Sequence, residues 1–318
     1  MQPLEVMGVR LDGVVACVPR AAVANPPDLA SATGIRELRR AAAGVTPLDL
    51  CCAAAERLLA GVEEGRGEIG AVVFVSFTSP ARMPAASATA QARLGLARTA
   101  LALDLSLACS GWPYGLYVAA LLSRNLGKSV LLLDGDVQSA RLDPADRSTQ
   151  AVLADAGSAA LVSPCAGARP WRFAFLTDGE KGKSLGLADG GTIAMDGFGV
   201  FRFVATDVAE FLREFVAGLP PGFAFVPHQA NVYMVSQLAK ALGIEAGRTA
   251  VVCDEFGNAA SASVPCAIAG RGVRGPVVAT GFGGGLSASA VYLEIDDAAR
   301  LECVGYDSAC CLGHPDAE

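Results

Sequence analysis

The stretch ALALDLSLACSGWPYGLYVAALLSRNLGKSVLLLDGD, residues 100–136, decides the fold. ALALDLSLA (100–108) has the apolar run of a buried strand, WPYGLYVAALLSRNL (112–126) the spacing of a helix, and KSVLLLDGD (128–136) a second buried strand. The first strand passes into the helix through the small residues Ala108, Ser110 and Gly111, with Cys109 between them. Strand, helix, strand at this spacing is the unit of an α/β sheet covered by helices.

Working outward, the same rhythm recurs. VMGVRLDGVVACVP (6–19) reads as a strand pair, PLDLCCAAAERLLAGV (47–62) as a helix, IGAVVFVSF (69–77) as a strand and SATAQARLGL (87–96) as a helix. STQAVLADAGSAALVSP (148–164) supplies a short helix and a final strand. Toward the C-terminus, DVAEFLREFVAGL (207–219), NVYMVSQLAKALGI (231–244) and SASVPCAIAG (261–270) have helical spacing. GFAFVPH (222–228), PVVATGFGGG (276–285) and SASAVYLEI (287–295) read as strands, and TAVVCDEFG (249–257) as a strand and turn. The chain is therefore expected to be an α/β sandwich of two duplicated halves, 1–165 and 166–296, followed by a polar tail, 297–318. Residues 166–200, rich in Gly and charge, read as a connecting excursion outside the core.

Composition narrows the function. Of 318 residues 52% are apolar and 18% charged, enough to bury a large core. A net charge of −7, with no basic block beyond the local Arg36–Arg40 cluster, argues against nucleic-acid binding. No apolar run reaches the roughly 18 residues that span a bilayer. MQPLEVMGVRLDG has an early acid and no basic segment before a long apolar stretch, unlike a signal peptide. A cytoplasmic protein without membrane attachment is the expectation. The ten cysteines lack C-x-x-C spacing and there are two histidines, His228 and His314, so no metal site and no cofactor are expected. Most of these cysteines read as small buried hydrophobes in a reducing compartment. The tail cysteines read as exposed thiols, and His314 as a solvated bystander.

Cys109 admits two readings. At the N-terminus of a helix, the macrodipole and free N–H groups favour a thiolate and can hold a carbonyl oxygen. A buried structural thiol beside a tight turn is the other. His228 ends an apolar strand in AFVPHQANVYM, where side chains project into a cleft, or it is a satisfied structural residue. Asn258, in DEFGNAASASVP, is a turn or capping residue or a cleft donor. GFGGGLSAS (281–289) is followed by a strand, so its glycines permit close backbone approach to a ligand and do not form a dinucleotide fingerprint.

Taken together, ACSG (108–111), DRST and LADAGSAALV (146–162), VPHQAN (226–231), GNAASASVP (257–265) and GFGGGLS (281–287) resemble the ketoacyl-ACP synthase III family, with TGIREL (33–38) matching near the N-terminus. The resemblance covers roughly residues 5–295. It implies a thiolase-like five-layered α-β-α-β-α sandwich, a homodimer, and an acyltransferase that condenses a Cys-bound acyl group with malonyl-ACP, releasing carbon dioxide. By the same resemblance Cys109 is the nucleophile, while His228 and Asn258 are neutral donors that polarise the malonyl thioester. The N–H groups of Cys109 and Gly284 form the oxyanion hole, and Phe282 lies near the cysteine. Met83, at the position that enters the partner subunit's acyl pocket, is expected to admit a different or longer acyl group. Arg147 is implied as a phosphate or adenine contact, and Phe198 stands near the pantetheine channel.

The chain departs from the family pattern in several places. The D-E-W-I segment and the Arg before TGIREL are missing, with Ala32 at the Arg position. After VPHQAN, Tyr233, Lys240 and Ala241 stand where basic docking residues are usual. The donor can thus be an acyl-CoA, an acyl-ACP or another carrier-bound thioester, and the pathway is expected to be a specialised one. Three functions stay open: decarboxylative condensation, acyl transfer to an oxygen or nitrogen nucleophile, and a silent heterodimer partner. Retention of Cys109, His228 and Asn258 argues against the silent partner, and Asn258 favours condensation.

Overall fold

A computed structural model describes residues 2–60, 63–79, 81–187 and 191–307. The chain opens with strands β1 (Leu4–Val6) and β2 (Val9–Pro19), then a small hairpin of β3 (Ala22–Ala24) and β4 (Glu37–Arg39) around helix α1 (Pro27–Thr33). Helix α2 (Pro47–Leu58) starts at a capping box, Thr46 with Asp49. There follow β5 (Ile69–Val75), α3 (Ala86–Arg93), β6 (Leu101–Leu105), α4 (Gly111–Leu126), β7 (Ser129–Val137), α5 (Arg147–Gln150) and β8 (Asp155–Pro164).

The second run is β9 (Trp171–Thr177), the hairpin strands β10 (Leu185–Leu187) and β11 (Ile193–Met195), and helices α6 (Gly197–Phe203) and α7 (Ala209–Ala217), joined by a π-turn. It continues through β12 (Ala224–Pro227), α8 (Val232–Ala241), α9 (Cys253–Phe256), α10 (Ser263–Arg271), β13 (Gly275–Gly283), β14 (Ser287–Ile295) and β15 (Arg300–Tyr306).

Beside the two hairpins, the described residues form two large sheets, ordered β15-β2-β8-β7-β5-β6 and β1-β9-β14-β13-β12. Within them β2-β8-β7-β5 and β9-β14-β13-β12 repeat one pattern, two antiparallel pairings followed by a parallel one. The duplication is thus visible in connectivity. Alternate residues of each strand serve different layers: Val72 and Phe74 pack on α2 and α3, whereas Ala71, Val73 and Val75 face the middle layer. Trp112, Leu116 and Ala119 of α4, with Val264 and Ile268 of α10, fill that middle layer between the sheets. Phe211, Leu212 and Phe215 of α7 and Leu238 of α8 cover the far face of the second sheet. Helix, sheet, helix, sheet, helix: the five-layered sandwich is present. Gly135 and Gly157 let α2 lie on the first sheet, since a Cβ on Gly157 would stand 2.7 Å from the backbone nitrogen of Cys51.

Four expectations are corrected. VMGVRLDGVVACVP is not a strand pair: Val9–Pro19 is one bulged strand, and β1 joins the other sheet. The segment 166–200 is not an excursion, because WRFAFLT forms β9 inside the second sheet and buries Trp171 and Phe173. Its seven apolar-rich residues are masked by the polar sequence around them. TAVVCDEFG forms no strand beyond an isolated bridge between Phe225 and Thr249. Buried Gln229 does a strand's work there, donating to the Ala250 carbonyl and accepting from the Val252 N–H. Finally, residues 300–306 of the polar tail form β15, paired in parallel with β2, and Cys303 is half-buried in it. His314, Cys310 and Cys311 lie outside the described residues.

Candidate active site

Cys109 sits in the 3₁₀ turn Ala108–Ser110 that leads into α4. The turn is an elbow: Ala108 has φ 44°, a left-handed conformation unusual for a residue with a Cβ. Neighbours hold it in place. The Ser110 hydroxyl donates to the Leu107 carbonyl at 2.8 Å and meets the Ser287 hydroxyl, while Ser289 Oγ donates to the Ser110 carbonyl at 2.7 Å. The end of β13 must come very close. A Cβ on Gly281 would stand 2.6 Å from the Cys109 carbonyl oxygen, and one on Gly283 would stand 3.2 Å from Sγ.

Position at a helix N-terminus predicts a favoured thiolate, and here the structure reverses the direction. Burial pushes the Cys109 thiol up to about 12, and the neighbouring Asp136 carboxyl adds to the shift. Asp136 is itself buried and raised to about 6, although Ser76, Phe77 and Thr78 all donate to it. Asp134, two residues earlier on β7, accepts from Ser261 Oγ at 2.6 Å and is likewise driven upward by burial.

His228 follows β12 and is 2% exposed. Its Nδ1 lies 2.8 Å from Ser263 Oγ, which also accepts from the Gln229 N–H at 3.1 Å. Burial lowers His228 to about 4, opposed in part by the Ala260 backbone, so the imidazole is neutral at pH 7. The Phe282 ring stands edge-on to it at 5.1 Å. Asn258 is buried and pinned on three sides. Its backbone N–H donates to Val152 O at 2.9 Å, its carbonyl accepts from Ala154 N and Gln138 Nε2, and its Oδ1 accepts from the Ala260 N–H at 2.9 Å. With Oδ1 engaged, the Nδ2 donor is the end left for a ligand.

Cys109, His228, Asn258, Phe282 and Gly284 all line one cavity of about 1190 Å³. The other sequence candidates stand apart from it. Met83 is 87% exposed and does not line the cavity of its own chain. Phe198 is 76% exposed at the rim, between Gly197 and Val200, which do line it. Arg147 is an exposed residue paired with Asp28 at 3.2 Å. Sequence reading missed Ser263, Gln229 and Gln138, which orient His228 and Asn258. The first two lie inside motifs already singled out, GNAASASVP and VPHQAN, but their role depends on contacts between distant segments. Among the described residues no group of His, Cys, Asp and Glu could hold a metal, and no helix is long and apolar enough to cross a membrane.

Two family models match this chain: 3-oxoacyl-[acyl-carrier-protein (ACP)] synthase III over residues 103–179 and its C-terminal region over residues 223–295. A beta-ketoacyl-[acyl-carrier-protein] synthase III from Streptomyces coelicolor is 32% identical over 305 residues, covering 88% of this chain and 92% of that protein. Among solved structures, a 3-oxoacyl-(acyl-carrier protein) synthase from Burkholderia xenovorans LB400 superposes with a TM-score of 0.91 at 31% identity, over 96% of this chain and 99% of that one. The priming beta-ketosynthase of the R1128 polyketide pathway gives a TM-score of 0.85 at 30% identity, over 93% and 99% of the two chains.

Proposed function

The chain belongs to the ketoacyl-ACP synthase III family, and from that premise we propose that it loads an acyl group onto Cys109 and condenses it decarboxylatively with a malonyl thioester carried by ACP. One observation carries this reading: a buried thiol on a strained helix-start elbow shares a cavity with two neutral groups, His228 and the Nδ2 end of Asn258.

In the first half-reaction Sγ attacks the thioester carbonyl. Because the thiol starts protonated, its proton passes to a base as the bond forms, and neutral His228 is the group in the cavity able to take it. The N–H groups of Cys109 and Gly284 receive the developing oxyanion. The second half-reaction needs the opposite service. Loss of carbon dioxide from the malonyl group leaves an enolate, and His228 with Asn258 donate to its oxygen. Ser263 Oγ, already accepting from Gln229, serves both tautomers. It accepts from Nδ1–H while Nε2 takes the thiol's proton for delivery to the departing thiolate, and donates to Nδ1 when the imidazole proton stands on Nε2 to meet the enolate. The enolate carbon then attacks the acyl carbonyl and Cys109 leaves.

Acyl transfer to an oxygen or nitrogen nucleophile would use His228 but would not need the Asn258 donor. Asn258→Ala should therefore leave acyl loading of Cys109 within about threefold and slow carbon dioxide release from malonyl-ACP by about 10²–10³-fold. Equal losses in both steps would count against the division of labour. We further propose a cytoplasmic homodimer in which Met83, exposed on its own chain, enters the cavity of the second copy.

A further inference from the structure

The cavity lining is mixed. Leu185, Leu187, Ile193 and Val200 give it apolar surface, and near the ends of β5, β6 and β7 two polar residues, Gln138 and Arg141, line it as well. These two residues open and close a 3₁₀ turn, Gln138–Arg141. Residues three apart eclipse in such a turn, so both side chains stand on one side of it. Both line the cavity.

Gln138 is 1% exposed and its orientation is fixed. Nε2 donates to the Ala154 and Asn258 carbonyl oxygens, each at 2.7 Å, which uses both of its hydrogens. The end left for the cavity is Oε1, an acceptor, and among the described residues nothing donates to it. Arg141 is half-buried and, among the described residues, has no carboxylate partner. The cavity lining thus includes an acceptor, Gln138 Oε1, and a strong donor, Arg141, at the two ends of one 3₁₀ turn, the first of them hydrogen-bonded to the backbone of Asn258.

From this pair we infer that the acyl group taken up by Cys109 carries a hydroxyl, which donates to Gln138 Oε1 and accepts from the Arg141 guanidinium. The inference rests on the acyl-Cys109 reading and names its substrate class. A plain alkyl chain would cover both groups without replacing the water it displaces, and leaving buried polar groups unpaired is costly. A carboxylate would satisfy Arg141 but turn its lone pairs on Gln138 Oε1. The loading step is ordinary thioester exchange: the Cys109 Sγ–acyl bond forms, the donor's C–S bond breaks, and the Cys109 proton leaves on the released thiol.

The test is a competition among butyryl, succinyl and 2-, 3- and 4-hydroxybutyryl thioesters of pantetheine, read by intact-protein mass spectrometry. All donors share the pantetheine arm, so a preference reports the acyl group alone. The expected result is that one hydroxybutyryl isomer loads about tenfold faster than butyryl, and that Arg141→Leu removes most of this advantage, slowing that donor and speeding butyryl. Butyryl or succinyl loading as fast as every hydroxylated isomer overturns the inference while leaving the acyl-enzyme intact. So does an advantage that Arg141→Leu does not change. The wild-type ranking decides the matter even if the variant fails to fold. Failure of every thioester to add mass at Cys109 overturns the acyl-enzyme reading, and this inference with it.

Discussion

At the scale of single residues, location and protonation state parted company. Cys109, His228 and Asn258 were legible as candidates because each ends or begins an element at a turn, and the fold brings all three to one cavity. Their ionisation was not legible, since it depends on burial by segments far away in sequence. A helix N-terminus suggests a thiolate; enclosure by β13 and the carboxyls of β7 raises the thiol instead. The consequence is measurable. A group with its pKa near 12 keeps gaining thiolate with every unit of pH below that value. Alkylation of Cys109 by iodoacetamide in the free enzyme should therefore climb steadily from pH 6 to about pH 10 without levelling off. A plateau below pH 8 would contradict the buried-thiol description. The partners Gln138, Gln229 and Ser263 were invisible for the same reason as the pKa: Gln138 reaches from the first half to Asn258, and Gln229 and Ser263 tie together segments of the second half that are distant in sequence.

Elements were legible where their apolar pattern is long and uninterrupted. SASAVYLEI and WPYGLYVAALLSRNL appear as β14 and the body of α4. Patterns failed where something other than a strand neighbour satisfies the backbone, as Gln229 does for residues 250–253. They failed also where a short apolar run is embedded in polar sequence, as with β9. The tight seat of β13 against the Cys109 elbow is a property of elements rather than of one contact. Gly281→Ala would place a Cβ 2.6 Å from the Cys109 carbonyl oxygen and 2.8 Å from Ser110 Cα, both backbone atoms that cannot swing aside. Acyl loading should fall by about 10²-fold, with a stability loss of roughly 1–3 kcal/mol. Gly247→Ala, where nothing lies within 4 Å of the added Cβ, should leave both unchanged. Loading and denaturant titrations of the two variants check this. A Gly281→Ala protein as active as the parent would show that the elbow yields easily.

For the whole molecule, the duplication was legible in the repeated rhythm of strands and helices, but the exchange of terminal strands was not. β1 leaves the first half for the second sheet and β15 returns from the C-terminus to the first. Neither has enough sequence pattern of its own to reveal its partner, being three and seven residues long. β15 closes the edge of β2, so a chain ending at Ile295 should melt several degrees lower and aggregate through the bared edge. An unchanged melting temperature would return residues 300–306 to the status of a tail. The central claim concerns the reaction that the whole assembly performs. Acyl-loaded protein should be mixed with malonyl-ACP labelled in its free carboxyl group, and the label followed together with the ACP-bound product. Decarboxylative condensation predicts labelled carbon dioxide in step with a β-ketoacyl product and free Cys109. Acyl-Cys109 that persists, or passes its acyl group on while the label stays on malonyl-ACP, would contradict it.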